Sequence, residues 1–144
     1  MKILVFVSLL ILSKFVLAQN EVENKMFIPI IPGCENIQNP SKELTDCLED
    51  KLSELIHQNL DKENLNRLLR NVGDKKAYTK FKFTITKEGK INNLSLVDET
   101  DMNLFLEIKK AIVKINKNYI FQPATYNGEI INFSFNLPFR YTIK

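Results

Sequence analysis

Hydrophobic and polar positions change period several times along this chain, and each change predicts an element. Leu44, Leu48, Leu52, Leu55 and Ile56 recur at helical spacing among Asp, Glu and Lys residues. They predict a first helix with Asn39 as its cap and Pro40 at its first position. Leu65, Leu68 and Leu69 predict a second, short helix that Asp61 caps and Gly73 stops. From Ala77 to Thr86 the period falls to two, with Phe81, Phe83 and Ile85 on one side and Lys80, Lys82, Thr84 and Thr86 on the other. Lys87-Glu88-Gly89-Lys90 reads as a hairpin loop with Gly89 at positive φ. Ile91 to Val97 return as a second strand that keeps Leu94 and Leu96 on the buried face. Leu104, Ile108, Ala111, Ile112 and Ile115 make one stripe of a third helix, capped by Thr100 or Asp101. Lys109, Lys110, Lys114 and Lys117 occupy its remaining faces.

The last element is the most distinctive. Pro123 and Asn127-Gly128 interrupt regular structure, after which Ile131, Phe133, Phe135 and Leu137 alternate with Asn132, Ser134 and Asn136. This predicts one half-buried strand, entered through a turn and ended by Pro138, with its polar side chains facing outward. The whole order predicts an α+β fold: a small antiparallel sheet of about three strands with helices packed on one face.

The segment before the first helix follows other rules. Lys2 and the apolar run Ile3 to Leu12, broken only by Ser8, have the form of an export signal, with Val16-Leu17-Ala18 at the cut. That run is about half the length of a bilayer-spanning helix. Cleavage between Ala18 and Gln19 is therefore expected over retention as an anchor, and the protein is expected in the periplasm or secreted. Residues 19–39 form an extended arm, because Pro29 and Pro32 exclude a helix and a central strand. Residues 40–144 form the domain proper, with a length suited to one core.

Charge and chemistry narrow the function classes. Loss of Lys2 and Lys14 with the signal brings the 20 basic residues to 18, against 17 acidic ones. The basic residues are scattered singly, which gives no nucleic-acid surface. The two cysteines, Cys34 and Cys47, form an even pair at close spacing in an exported segment, and a structural disulfide is expected. A metal site there lacks further ligands, since His57 is the sole histidine, and the spacing is not Cys-x-x-Cys. His57 falls at a helix end, where a favourable dipole contact accounts for it. Glu43, Asp46, Glu49, Asp50 and Glu54 share the solvated side of the first helix. No nucleophile–base arrangement or Gly-rich phosphate loop stands out, so neither an enzyme nor a cofactor is expected.

Taken in order, several of these pieces resemble the TonB C-terminal domain family. They are the hairpin Phe83 to Ile91 closed at Gly89, the Leu104–Ile115 helix, Phe121-Gln122-Pro123, Asn127-Gly128, and the closing strand Phe133 to Phe139. Pro32-Gly33-Cys34-Glu35 and Cys47 are similar to the leading segment of TonB-like proteins of the Bacteroidetes group. The resemblance spans about residues 28–141. It implies a periplasmic module in which an extended peptide, such as the N-terminal box of an outer-membrane transporter, adds as a strand to the closing strand. Ile131, Asn132, Phe133, Ser134, Phe135, Asn136 and Leu137 are the expected partner-binding residues.

The chain departs from the family where a Tyr-Pro precedes the first strand; Asn71-Val72-Gly73 stands in that region. A dozen or so residues between the signal and Pro32 reach only ~40 Å. That is too short to couple an inner-membrane motor to an outer-membrane receptor, so membrane association is expected only through partners. The alternatives at this point are a strand buried between neighbours or covered by the arm, and a small secreted structural or inhibitory protein with no role in transport.

Overall fold

Local signals set the helices first. In the computed structural model, which describes residues 24–98 and 101–143, α1 (Lys42–Asn59) buries Leu44, Leu48, Leu52 and Ile56 along one stripe. Its cap is Ser41, whose hydroxyl accepts from the Leu44 N–H at 3.0 Å, and not Asn39 as the sequence suggested. Asn39 is engaged elsewhere. Its side chain accepts from the Ile28 N–H at 2.8 Å and donates to the Ile28 carbonyl at 2.9 Å, pinning the arm to the start of the helix. Asp61 caps α2 (Lys62–Asn71) through the Asn64 N–H, and Gly73, at φ 75°, turns the chain out of it. Asp101 caps α3 (Met102–Asn118) by accepting from the Asn103 and Leu104 N–H groups.

The strands form two antiparallel sheets of three. In the larger, β2 (Lys76–Ile85) lies between β3 (Ile91–Leu96) and β6 (Phe133–Thr142). In the smaller, β4 (Ala124–Tyr126) lies between β1 (Met26–Phe27) and β5 (Glu129–Ile131). The β2–β3 loop bonds as expected, with the Thr86 N–H donating to the Lys90 carbonyl and the Gly89 N–H to the Thr86 carbonyl. Gly89 has φ 75° and lies against the Phe121 backbone, whose N–H donates to the Gly89 carbonyl at 3.0 Å. A Cβ at Gly89 would strike the Phe121 carbonyl, so the loop needs glycine for space as well as for conformation.

The arm is more than a covering. Ile28 and Ile31 are buried in the common core, β1 pairs with β4, and Ile30 exchanges two backbone hydrogen bonds with Gln122, each 3.0 Å. The arm thus joins the C-terminal hairpin, whose Asn127-Gly128 turn has φ 50° and 83°. Those paired positive φ angles let a two-residue turn match the strands' twist. Cys34 and Cys47 form a disulfide with a Cα–Cα distance of 6.1 Å, fixing the end of the arm to α1. One hydrophobic core runs under the larger sheet and the three helices, with Phe81, Phe83, Phe121 and Phe139 among its largest fully buried side chains. The proposed signal and its cleavage point at Ala18–Gln19 lie outside the described residues. No described helix is long and apolar enough to cross a membrane.

Candidate sheet-edge site

β6 alternates as its sequence requires. Leu137, Phe139 and Tyr141 are buried, Phe133 and Phe135 are half-buried, and Ser134, Asn136, Pro138 and Arg140 are exposed. Two expectations about it need correction. Pro138 does not end the strand, which runs on to Thr142. Nor do residues 131–137 form one strand: Ile131 belongs to β5 and faces Ala124, Asn132 is the junction, and β6 begins at Phe133. The junction exists because the Asn132 side chain accepts from the Lys87 N–H at 2.9 Å, tying it to the β2–β3 loop.

Hydrogen-bond direction explains how a proline sits inside β6. The N–H and C=O of one strand residue point to the same side, and the side alternates. The Val97 N–H donates to the Lys80 carbonyl and the Asp101 N–H to the Tyr78 carbonyl, so even-numbered residues of β2 bond away from β6. The Ile143 N–H donates to the Lys75 carbonyl at 2.8 Å, so odd-numbered residues of the two strands bond each other. Pairing of Lys80 with Pro138 and of Thr84 with Ser134 carries this parity along the strand. Ser134, Asn136, Pro138 and Arg140 therefore direct their backbone groups away from β2. Pro138 lacks a donor only where the ladder does not use one.

Among the described residues no strand pairs with that far side. From residue 134 to 140 it presents about 20 Å of regular strand edge, with outward N–H groups at Ser134, Asn136 and Arg140 and carbonyls at all four positions. The opposite edge, β3, is shorter and less regular. It carries a register shift beside Asn93, at φ 56°, and the Asn116 side chain bonds both the Ile91 N–H and its carbonyl. Such irregularities discourage strand addition there.

Side chains around β6 supply the rest of the site. The Ser134 hydroxyl lies 2.9 Å from that of Thr84 across the ladder, and Asn136 stands opposite Lys82. Arg140 stacks its guanidinium over the Tyr78 ring, 5.6 Å from the centroid. At the C-terminal end of β6 a cleft of about 510 Å³ is lined by His57, Lys62, Asn66, Arg140, Tyr141 and Thr142. The His57 ring packs 4.5 Å from that of Phe139, so the end of α1 is set against the strand. The Tyr141 hydroxyl donates to Asn66 Oδ1 at 2.6 Å. Burial pushes this phenol above its usual range, and the Asn66 bond partly opposes the shift.

Sequence reasoning missed the contribution of His57, Lys62 and Arg140. Phe139-Arg140-Tyr141 continues the alternation of β6, and that signal was hidden by reading Pro138 as a stop. No group of three or more His, Cys, Asp or Glu residues placed to hold a metal occurs among the described residues. No family model matches the chain, and no curated protein matches it.

Proposed function

We propose that the protein is an extracytoplasmic, TonB-like peptide-binding module, exported by a signal ending at Ala18, that adds an extended segment of a partner protein to the free edge of β6. The observation that carries this reading is the edge itself: a ten-residue, unbulged strand with one side unpaired among the described residues and the backbone groups of its even-numbered residues directed outward. Main-chain hydrogen bonds supply the affinity in such binding, and side-chain pockets supply the selectivity. The disulfide suits an oxidising compartment. The family resemblance suggests the N-terminal box of an outer-membrane transporter as the partner. Pro138 fits the same reading, because a missing outward donor limits indiscriminate edge-to-edge pairing while leaving Ser134 and Asn136 available.

The test compares Ser134→Ala with Ser134→Pro in titrations with peptides copied from transporter N-termini. Alanine removes the hydroxyl bond to Thr84 but keeps the outward N–H, and binding should change less than about threefold. Proline removes that N–H without touching a bond to β2, and binding should fall tenfold or more. Circular dichroism checks that both variants remain folded. Equal binding by two folded variants would refute strand addition at this donor and favour a secreted structural or inhibitory protein.

A further inference from the structure

We propose that the segment added along β6 is acidic, with carboxylates at alternate positions, one of which meets Arg140 at the mouth of the cleft that Lys62 also lines. This rests on strand addition at β6 and specifies what is added.

Charge on the larger sheet is one-sided. Lys76, Lys80 and Lys82 stand at even positions of β2, Arg140 stands across from Tyr78 on β6, and all four share the face turned away from the helices. The sequences of β2, β3 and β6 contain no aspartate or glutamate. The cleft repeats this bias with Lys62 from the first position of α2 and Arg140 from β6, and no carboxylate among the described residues lines it. Two acids adjoin Lys62 in sequence: Asp61 caps α2 through the Asn64 N–H, and both Asp61 and Glu63 line a separate cleft with Asn64 and Arg67.

Arg140 belongs to both surfaces, and its place in the register fixes the geometry. A segment paired with β6 lies about 4.8 Å beyond it, with alternate side chains beside Ser134, Asn136, Pro138 and Arg140. The residue beside Arg140 therefore meets a guanidinium already oriented by Tyr78, which can take a carboxylate through two parallel bonds. Carboxylates spaced two residues apart keep to the same face, where Lys82 and Lys80 lie one strand further in. Glutamate or aspartate there gains at several positions together, whereas a neutral segment leaves a row of cations facing one another's fields.

The experiment titrates the purified chain with two acetylated ten-residue peptides, one alternating threonine with glutamate and the other threonine with glutamine. The glutamate peptide should bind roughly tenfold more tightly. The preference should fall to about twofold in Lys62→Gln/Arg140→Gln and persist in Lys109→Gln/Lys114→Gln, a charge-matched control on α3. Lys62→Gln alone, at an exposed helix position, covers the case in which the double variant fails to fold; it should lower the preference measurably. Ser134→Pro should weaken both peptides.

Equal binding of the two peptides, still weakened by Ser134→Pro, overturns acidic selection and leaves strand addition standing. A glutamate preference that survives in the double variant, or glutamate-peptide binding that Ser134→Pro does not weaken, overturns the proposal by placing the anion elsewhere. Failure of both peptides to bind overturns it together with the strand-addition reading.

Discussion

Glu107 is the side chain on which the helical layer is most exposed to error. It is only 3% exposed, on the buried side of α3 between Leu104 and Ile108. One carboxylate oxygen accepts from Asn64 Nδ2 and from Lys110 Nζ, both at 2.8 Å, and the other has no hydrogen-bond partner among the described residues. The Lys110 bond in turn holds that ammonium above its usual range. A buried carboxylate with half its acceptors unused depends heavily on the bonds that remain. Asn64 is held for its task by its own N–H bond to Asp61 and by Arg67, which donates to its side-chain oxygen at 2.6 Å. Asn64→Ala should therefore destabilise the protein by about 1–3 kcal/mol, beyond what an exposed helix substitution costs. Urea unfolding measures it; a change within about 0.5 kcal/mol would mean Glu107 finds another donor.

The elements carry electrostatics that the separate residues do not. Along α1, Asp46, Glu49 and Asp50 lie close together, and Glu49 is half-buried where the other two are exposed. Desolvation, then the charges of Asp46 and Asp50, push the Glu49 carboxyl above its ordinary 4.5. The folded state thus binds this proton more tightly than the unfolded chain does. The associated stability is fully present below pH 4.5 and is lost as pH rises through the folded value. At neutral pH the ionised Glu49 weakens the fold. Glu49→Gln should raise the melting temperature slightly at pH 7, by the equivalent of a few tenths of a kcal/mol after solvent screening. That advantage should disappear at pH 3, which thermal melts at the two pH values would show. The same helix brings His57 to β6, so its placement bears on the cleft as well as on the core.

For the whole molecule, the question is what holds the arm and the C-terminal hairpin to one core. Lys25 and Asn127 exchange bonds across 102 residues: the Asn127 side chain accepts from the Lys25 N–H at 3.0 Å, and the Asn127 N–H donates to the Lys25 carbonyl at 2.9 Å. The β1–β4 pairing and the disulfide continue that closure. Cross-linking positions 13 apart restricts the unfolded chain by about 3 kcal/mol on the loop-entropy model. Cys34→Ser/Cys47→Ser should lose about that much stability in denaturant titrations. Because the larger sheet does not contain the arm, the double variant should still bind peptide at β6 under conditions where it stays folded. Binding lost in a folded double variant would show instead that the arm supports the edge.

Much of this architecture was legible because it is written in local chemistry. The leucine stripes of α1 and α2, the cap Asp61, the pair Thr100 and Asp101 from which the fold uses Asp101, the Gly89 loop, the Asn127-Gly128 turn and the alternation of Phe133, Phe135 and Leu137 each depend on neighbours a few residues away. The cysteine pair was readable because the sequence holds no other. Periodicity reports which face of a strand is buried, but not what lies beside the strand. For that reason Pro138 looked like an end, Ile131 and Phe133 looked like one strand, and the arm looked like a covering when it pairs with β4. Asn39 looked like a cap because its bonds to Ile28 are invisible at short range. The sequence alone determined the three helices, β2, β3 and the inner face of β6, but not β1, β4 and β5. Tertiary structure decided the sheet order, the unpaired side of β6 and the meeting of His57, Lys62 and Arg140, because strand register and helix docking are set by contacts between residues far apart in the chain.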